Sequence, residues 1–450
     1  MTHGRRAREN GEWIDPSDVT TFGQREHPCR AAPFSAMRRV AWLTGVVCAI
    51  FPWTDAPADD WGGFRGPTGD GRAAKSSPPV EWSEGRNVRW KTALAGKAWS
   101  SPVVMGHTVW LTNATEDGRR LSLLAVDLET GRVDRDLKLF EIAEPAFCHD
   151  FNSYASPTPV ANDGLVWAHF GSAGTACVDA TSGKILWSRQ DLPCDHHRGA
   201  GSSPILFNGL LFLTFDGYDR QYIAALDART GRTVWQRDRD IDYGTDDGDM
   251  KKSYATPTVL DAGGRKLLVA PSAVATIAYD ATTGEPLWTV RHGGYNAAAR
   301  PVVSHGLVII NTQSGDRLLA VRPDGRGDVT GSHVAWRFGK STPTRPSQSV
   351  FGDHLYMVSD TGIFSCLDVR SGEAVWSERR SGRHTASLVE ASGRLYAFDE
   401  DGAGLVVEAT REGFRLLAEN KLDDGCMASP AVVGDDLIVR TKRHLYRIGE

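Results

Sequence analysis

Several things are scarce or missing in this 450-residue chain, and each removes a class of function or fold. There is no surplus of positive charge: 51 Lys and Arg against 56 Asp and Glu give a formal net charge of -5. A generally basic nucleic-acid binder is thereby excluded, and any anion site must be local. The apolar run from Val40 to Phe51 is too short for a membrane helix, which needs about 20 residues. No Cys-x-x-Cys-His segment occurs, so a covalently attached c-type haem is excluded. The cysteines after Ala58 are Cys148, Cys177, Cys194, Cys366 and Cys426; an odd set leaves a free thiol and is no disulfide framework. One bridge among Cys148, Cys177 and Cys194 stays open in an oxidising compartment. Gly (47) and Pro (22) are too few for a collagen-like or low-complexity chain.

The N-terminus carries the marks of export. Met37, Arg38 and Arg39 form a charged start, the apolar run follows, and Ala56-Pro57-Ala58 is a small-x-small cleavage site. Cys48 lies inside the run without the preceding pattern of a lipobox, so no lipid anchor is expected. Residues 1–36 are polar and aperiodic, a disordered or mis-started extension; 37–58 is the signal peptide, 59–81 an extended segment and 82–450 the folded domain. The mature chain is expected in the periplasm or outside the cell, as a monomer with no transmembrane segment and no nucleic-acid partner.

What the chain has in abundance is Trp, 14 in all, and several of them recur at one place in a repeat. Ala125-Val126-Asp127 leads to Thr130-Gly131, Cys177-Val178-Asp179 to Gly183 and Trp187, and Ala225-Leu226-Asp227 to Gly231 and Trp235. Ala278-Tyr279-Asp280 leads to Gly284 and Trp288, and Cys366-Leu367-Asp368 to Gly372 and Trp376. The first copy has Arg135 in the Trp position. Asp accepts from turn N–H groups, Gly supplies a left-handed conformation, and a strand resumes afterwards: this is a β-hairpin. Asp179, Asp227, Asp280 and Asp368, with Trp187, Trp235, Trp288 and Trp376, are the expected docking residues between neighbouring sheets. Cys177 and Cys366 replace a small Ala and read as buried small residues.

A second marker precedes each unit: Ser101-Pro102, Ser156-Pro157, Ser203-Pro204, Thr256-Pro257, Arg300-Pro301, Arg345-Pro346, Ala386-Ser387 and Ser429-Pro430. Spacings of 40 (346 to 386) to 55 (101 to 156) residues fit one four-stranded propeller blade each. The eighth unit stops before its last strand, and Val88-Arg89-Trp90-Lys91-Thr92 is an orphan Trp strand at the other end. The fold class is therefore all-β: an eight-bladed β-propeller of four-stranded antiparallel blades, with an N-terminal strand closing the last blade. Seven blades stay open as an alternative, because units five and seven are degenerate. Val321 to Gly325 carries an insertion before Trp336, and Asp399 to Gly402 keeps only the turn. Trp61, outside the repeat, is expected to matter much less to stability than the repeated tryptophans.

The pattern Ala-x-Asp-x-x-Thr-Gly-x-x-x-Trp, matched in full by Ala225 to Trp235 and Ala278 to Trp288, resembles the tryptophan-docking motif of the PQQ (pyrroloquinoline quinone) propeller repeat family. That family includes quinoprotein alcohol dehydrogenases and BamB-type assembly factors. Trp61 to Pro67 and Gly69-Asp70-Gly71 are similar to the start of secreted PQQ-repeat proteins of planctomycete-type bacteria. The resemblance implies a propeller and leaves function open, because the motif docks blades whether or not a quinone binds. Quinoprotein dehydrogenases of the family carry a vicinal Cys-Cys pair, and no two cysteines adjoin here.

The loops before the markers surround one mouth of the expected channel. They supply His149, Asp150, His196, Arg198, Lys252, Asn296, Arg300, Arg345 and His384 as candidate ligand contacts. A ring of cations there would attract a polyanion or small polycarboxylate; a solvated polar loop face is the plainer reading. Cys148-His149-Asp150 and Cys194-Asp195-His196-His197 would have to fold together to hold zinc, and no metal site is expected. Catalytic residues are not identifiable. The functional expectation is an exported, non-enzymatic scaffold binding a protein or an anionic glycan or small molecule, with no cofactor. A PQQ-dependent oxidoreductase and a polysaccharide-binding or polysaccharide-cleaving propeller are the alternatives.

Overall fold

In each unit the second and third strands are continuous apolar runs, and the last strand alternates. Leu210–Asp216 is buried at nearly every position, whereas Thr233–Asp238 exposes all but Trp235. Strands covered on both faces need apolar residues throughout, and rim strands do not. The result, in a computed structural model that describes residues 60–315 and 317–450, is eight antiparallel sheets arranged as successive blades. The expected export signal and the extension before it lie outside the described residues.

Blades one to three are formed by Val103–Glu141, Val160–Arg189 and Ile205–Asp238. Blades four to seven span Thr258–Arg291, Val302–Phe338, Ser349–Arg379 and Val389–Lys421. The eighth joins Ala431–Val433, Asp436–Arg440 and His444–Ile448 to Val88–Ala93 from the other end of the chain, with Thr92 opposite Leu445. The count is eight, and the splice is as expected. Blade five's insertion adds a short strand, Gly327–Asp328, parallel to blade four's rim strand.

The docking motif works through three linked features. A register shift recurs at the same place in blades one to seven, for example between Ala225 and Leu226. Such a bulge re-aims a side chain, here turning Trp235 over the small Ala225 opposite it. Cys177 and Cys366 face Trp187 and Trp376 in the same way, which is why only a small residue fits. Each indole then reaches the next blade: Trp187 Nε1 donates to Ala228 O at 2.9 Å, Trp235 to Ala281 O at 3.3 Å and Trp336 to Val369 O at 3.1 Å. Ala228, Ala281 and Val369 each follow the turn Asp. Asp227 Oδ1 accepts from Thr230 N at 2.8 Å, and the turn Gly presents a flat platform: a Cβ on Gly231 would lie 2.7 Å from the Trp187 ring. Gly231 (φ 73°) is thus needed for conformation and for contact. Arg135 makes the equivalent bond to Ala180 O, at 3.0 Å.

The joint between blades seven and eight differs. Blade eight's last two strands come from opposite chain ends, so no turn exists there for a tryptophan to dock on. Blade seven accordingly has Ala418 opposite Val406 in the Trp place. Trp82, from the segment before the closing strand, fills the joint: it packs on Phe398 and Tyr396 (ring centroids 5.7 and 6.4 Å apart), and its backbone N–H donates to Asn420 Oδ1 at 2.8 Å. The turn at Asp399–Gly402, read from the sequence as blade seven's docking turn, joins Arg394–Phe398 to Ala403–Glu408 instead. The docking turn is one hairpin later, after Glu408. All five described cysteines are free.

Candidate functional site

A belt of hydroxyls links successive blades just before the innermost strands, from blade one to four and from five to eight. Ser101 N–H donates to Thr158 Oγ1 at 2.9 Å, Thr158 to Ser203 Oγ at 3.0 Å and Ser203 to Thr256 Oγ1 at 2.9 Å. Arg300, Ser347 and Ser387 N–H donate to Ser347, Ser387 and Ser429 hydroxyls, each at 2.9 Å. Each bond ties one blade to the next and satisfies a buried N–H. The equivalent residues of blades two and six are therefore Thr158 and Ser347, two past the markers read as Ser156 and Arg345.

One floor to this ring is laid by the N-terminal segment. Trp61 exchanges backbone bonds with Val104 of blade one, and Gly62 O accepts from Ala161 N of blade two. Phe64 O accepts from Arg300 Nη1 of blade five at 2.6 Å, Arg65 donates to Leu388 O of blade seven at 3.1 Å, and Gly71 and Ala73 pair with Glu390. The strap thus runs from blades one and two to blade seven, across the channel. Trp61, expected to carry little weight, is 2% exposed and packs in the core formed with blades one and eight. Burial lowers the pKa of Arg65 to about 9 and of Arg300 to about 10, and both remain cations at neutral pH.

Above the strap lies a cavity of about 420 Å³, within the size range of small-molecule sites. Its wall follows one rule. The residue two before each belt position, on the same side of an extended chain, lines the cup: Trp99, Ser156, Gly201, Tyr254, Ala298, Arg345, Thr385 and Met427, one per blade. Phe64 of the strap, Phe151 and the belt hydroxyls complete it. No Asp, Glu, Lys or Cys is among the lining residues. Phe151, entering blade two, and Arg345, entering blade six four places round the ring, meet across the mouth with the guanidinium 4.4 Å from the ring centroid, a cation–π contact.

Of the residues expected at the mouth, His149, Arg198, Asn296 and Arg345 line this cavity. His149 Nδ1 accepts from Phe151 N at 3.1 Å. Arg198 pairs with Asp249 at 3.1 Å, and Arg345 with Asp360 at 2.7 Å. The other five are elsewhere. Asp150 is exposed, its carbonyl accepting from Lys97 Nζ at 2.6 Å. Lys252 is buried against Asp249. His196 sits behind the wall, accepting from Ser172 N at 3.1 Å, and desolvation lowers its pKa to about 4. Arg300 belongs to the floor. His384 is fully buried, edge-on to Phe364, and burial lowers its pKa. The cations therefore do not form one ring: they occupy different levels, and carboxylates partner Arg198, Lys252 and Arg345. Phe64, Trp99, Phe151, Tyr254 and Met427 were missed. Counting back two residues from each hydroxyl would have found three of them.

Among the described residues no group of three or more His, Cys, Asp or Glu could hold a metal ion, and no helix is long and apolar enough to cross a membrane.

Residues 80–191, 140–326 and 219–448 match the family described as outer membrane protein assembly factor BamB. The chain is 23% identical over 316 residues to the BamB of Shewanella oneidensis, covering 64% of this chain and 72% of that protein. It is 30% identical over 208 residues to a 1-butanol dehydrogenase (quinone) of Thauera butanivorans, covering 41% of this chain and only 29% of that enzyme. Among solved structures, BamB of Moraxella catarrhalis superposes with a TM-score of 0.56 at 14% identity, over 80% of this chain and 99% of that one. A europium-containing methanol dehydrogenase reaches 0.63 at 11% identity, over 87% and 89%. These structural likenesses establish the shared propeller fold.

Proposed function

Since the chain belongs to the BamB family of PQQ-repeat propellers, we propose that it is an exported, non-catalytic binding propeller whose ligand enters the cup at the channel mouth. The carrying observation is the lining itself. Four aromatic side chains, a hydroxyl belt and two arginines converge on a space closed below by the strap, while no lining residue is a carboxylate that could act as a general base or hold a cation. His149, Arg198, Asn296 and Arg345 are the ligand contacts in this reading. The charged start, apolar run and small-residue site at 37–58 support export to the periplasm or beyond, with a mature N-terminus near Asp59. Kinship with an outer membrane assembly factor is consistent with that address and with a protein partner on the outer surface.

The quinone-enzyme reading draws on the Thauera relative, but the residues present do not fit a metal-held quinone. The cup has no acidic side chain, no metal-capable group occurs among the described residues, and the five described cysteines are free and non-adjacent. Incubation with PQQ and calcium or a lanthanide, followed by desalting and absorbance, tests the choice. Neither retained quinone nor alcohol-dependent dye reduction is expected; a stoichiometric quinone with dye reduction would overturn the binding role.

A further inference from the structure

Resting on the binding reading above, we propose that the cup recognises a saccharide bearing a carboxylate, with a uronate unit as the seated residue. Large and small side chains alternate in the lining ring in a way that matters. Tyr254 stands between Gly201 and Ala298, and Trp99 between Met427 and Ser156, so the Tyr254 ring is flanked by residues too small to cover it. Trp99 is fixed by its indole, which donates to Phe151 O at 3.0 Å. Rigid, amphipathic rings fixed in this way offer apolar faces at little entropic cost, and the C–H face of a pyranose is the polar molecule's surface that matches them. A wholly apolar ligand would leave the hydroxyl and amide groups of the wall without partners; a sugar presents a hydroxyl in nearly every direction.

The carboxylate follows from Arg345. Its Nε is held by Asp360 at 2.7 Å and its plane rests on Phe151 at 4.4 Å, which fixes the guanidinium at the lip of the cup. Its two terminal nitrogens make no hydrogen bond among the described residues, and Nη2 has only a second, looser ion pair with Glu400 at 3.8 Å. Two parallel N–H donors on a fixed guanidinium fit one carboxylate. On the other side of the cup, Arg198 pairs with Asp249, whose carboxylate is shared by Lys252 behind the wall. A neutral glycan would use the aromatic faces and leave these donors unspent. A flat quinone acid would use the donors and leave the belt unspent.

The test is calorimetric titration of the mature chain with trigalacturonate, trimannuronate and a hyaluronan tetrasaccharide, with maltotriose as the neutral control. At least one uronate oligomer is expected to bind tenfold or more tighter than maltotriose, with an affinity that falls as salt rises. Trp99→Ala should weaken it at least tenfold. Arg345→Gln should weaken it similarly and bring it level with the neutral control, while Arg345→Lys recovers only part. Melting curves verify that each variant is folded, and Trp99→Phe serves if Trp99→Ala is not. Equal binding of maltotriose, or uronate binding indifferent to both substitutions, overturns the proposal. If no uronate binds but another small molecule does so in a Trp99-dependent way, the saccharide falls and the binding cup stands. Retained PQQ with dye reduction removes the binding role by a separate readout.

Discussion

The joint between blades three and four and the joint between blades seven and eight solve one problem with different parts. At the first, Trp235 lies over Ala225, its indole bonds Ala281 O, and its ring rests on Gly284. At the second there is no such turn, because blade eight is closed by a strand from the far end of the chain, and Trp82 is brought in from the segment just before that strand. The lesson is that the docking tryptophan belongs to its target. Where splicing removes the turn, the repeat drops the Trp and the nearest free segment supplies one.

The largest effect should come from removing residues 82–95, which takes away Trp82 and the closing strand together. An open sheet edge results, and aggregation is the expected outcome on size-exclusion chromatography; a monomer with an unchanged melting temperature would break the comparison. Next, Trp288→Ala at a regular joint and Trp82→Ala at the splice should each cost about 3–5 kcal/mol in denaturant titrations, the usual price of truncating a large buried aromatic. A loss at Trp82 well under 1 kcal/mol would mean that strand pairing alone holds the splice. Trp61→Ala belongs with these two, since it is equally buried.

Acid should act on the blade two side. His169, bonded to Thr175 Oγ1 at 2.8 Å, is fully buried and desolvation lowers its pKa to about 3; His196 falls to about 4 for the same reason. An imidazole in the unfolded chain titrates near about 6.5. Between these values the unfolded state binds more protons, so both groups contribute stability that is present above pH about 6.5 and lost as pH falls toward 4. Urea midpoints measured from pH 7 to 4.5 should decline, and less steeply in His169→Gln; identical slopes would deny the burial its role. The smallest effect is expected from Arg135→Trp, which converts blade one's joint to the regular kind. A change within about 1 kcal/mol of wild type follows if guanidinium and indole dock equally well on the turn after Asp179; a large loss would show that this turn is shaped for Arg.

Much of this could be read from the residues because propeller repeats are local. Asp227, Gly231 and Trp235 interact within one hairpin and with the adjacent copy, so their spacing carries the fold. The orphan strand at Val88–Ala93 was legible for the same reason, as a piece missing from a known series. The Asp399 turn was misassigned because blade seven's docking turn carries Glu408 in the Asp place, while the preceding hairpin supplies an Asp and a Gly. The cup was harder. Arg198, Lys252, Arg300 and Arg345 look equivalent by their nearness to a Pro, yet Arg300 bonds the strap and Lys252 is buried, since the four stand at different offsets from the belt position of their blades.

Spacing along the chain establishes the eight units, the antiparallel blades, the closing strand and the chemistry of each docking turn, because each is a local hairpin or a piece missing from a regular series. Folding of the whole ring is what makes Trp61 to Ala73 the floor of the channel, puts Trp82 at the splice and brings Phe151 and Arg345 together across the mouth. Those contacts join residues up to 338 positions apart, as in Trp82 and Asn420. No periodicity records them, because they exist only once the ring has closed and brought distant segments to one axis.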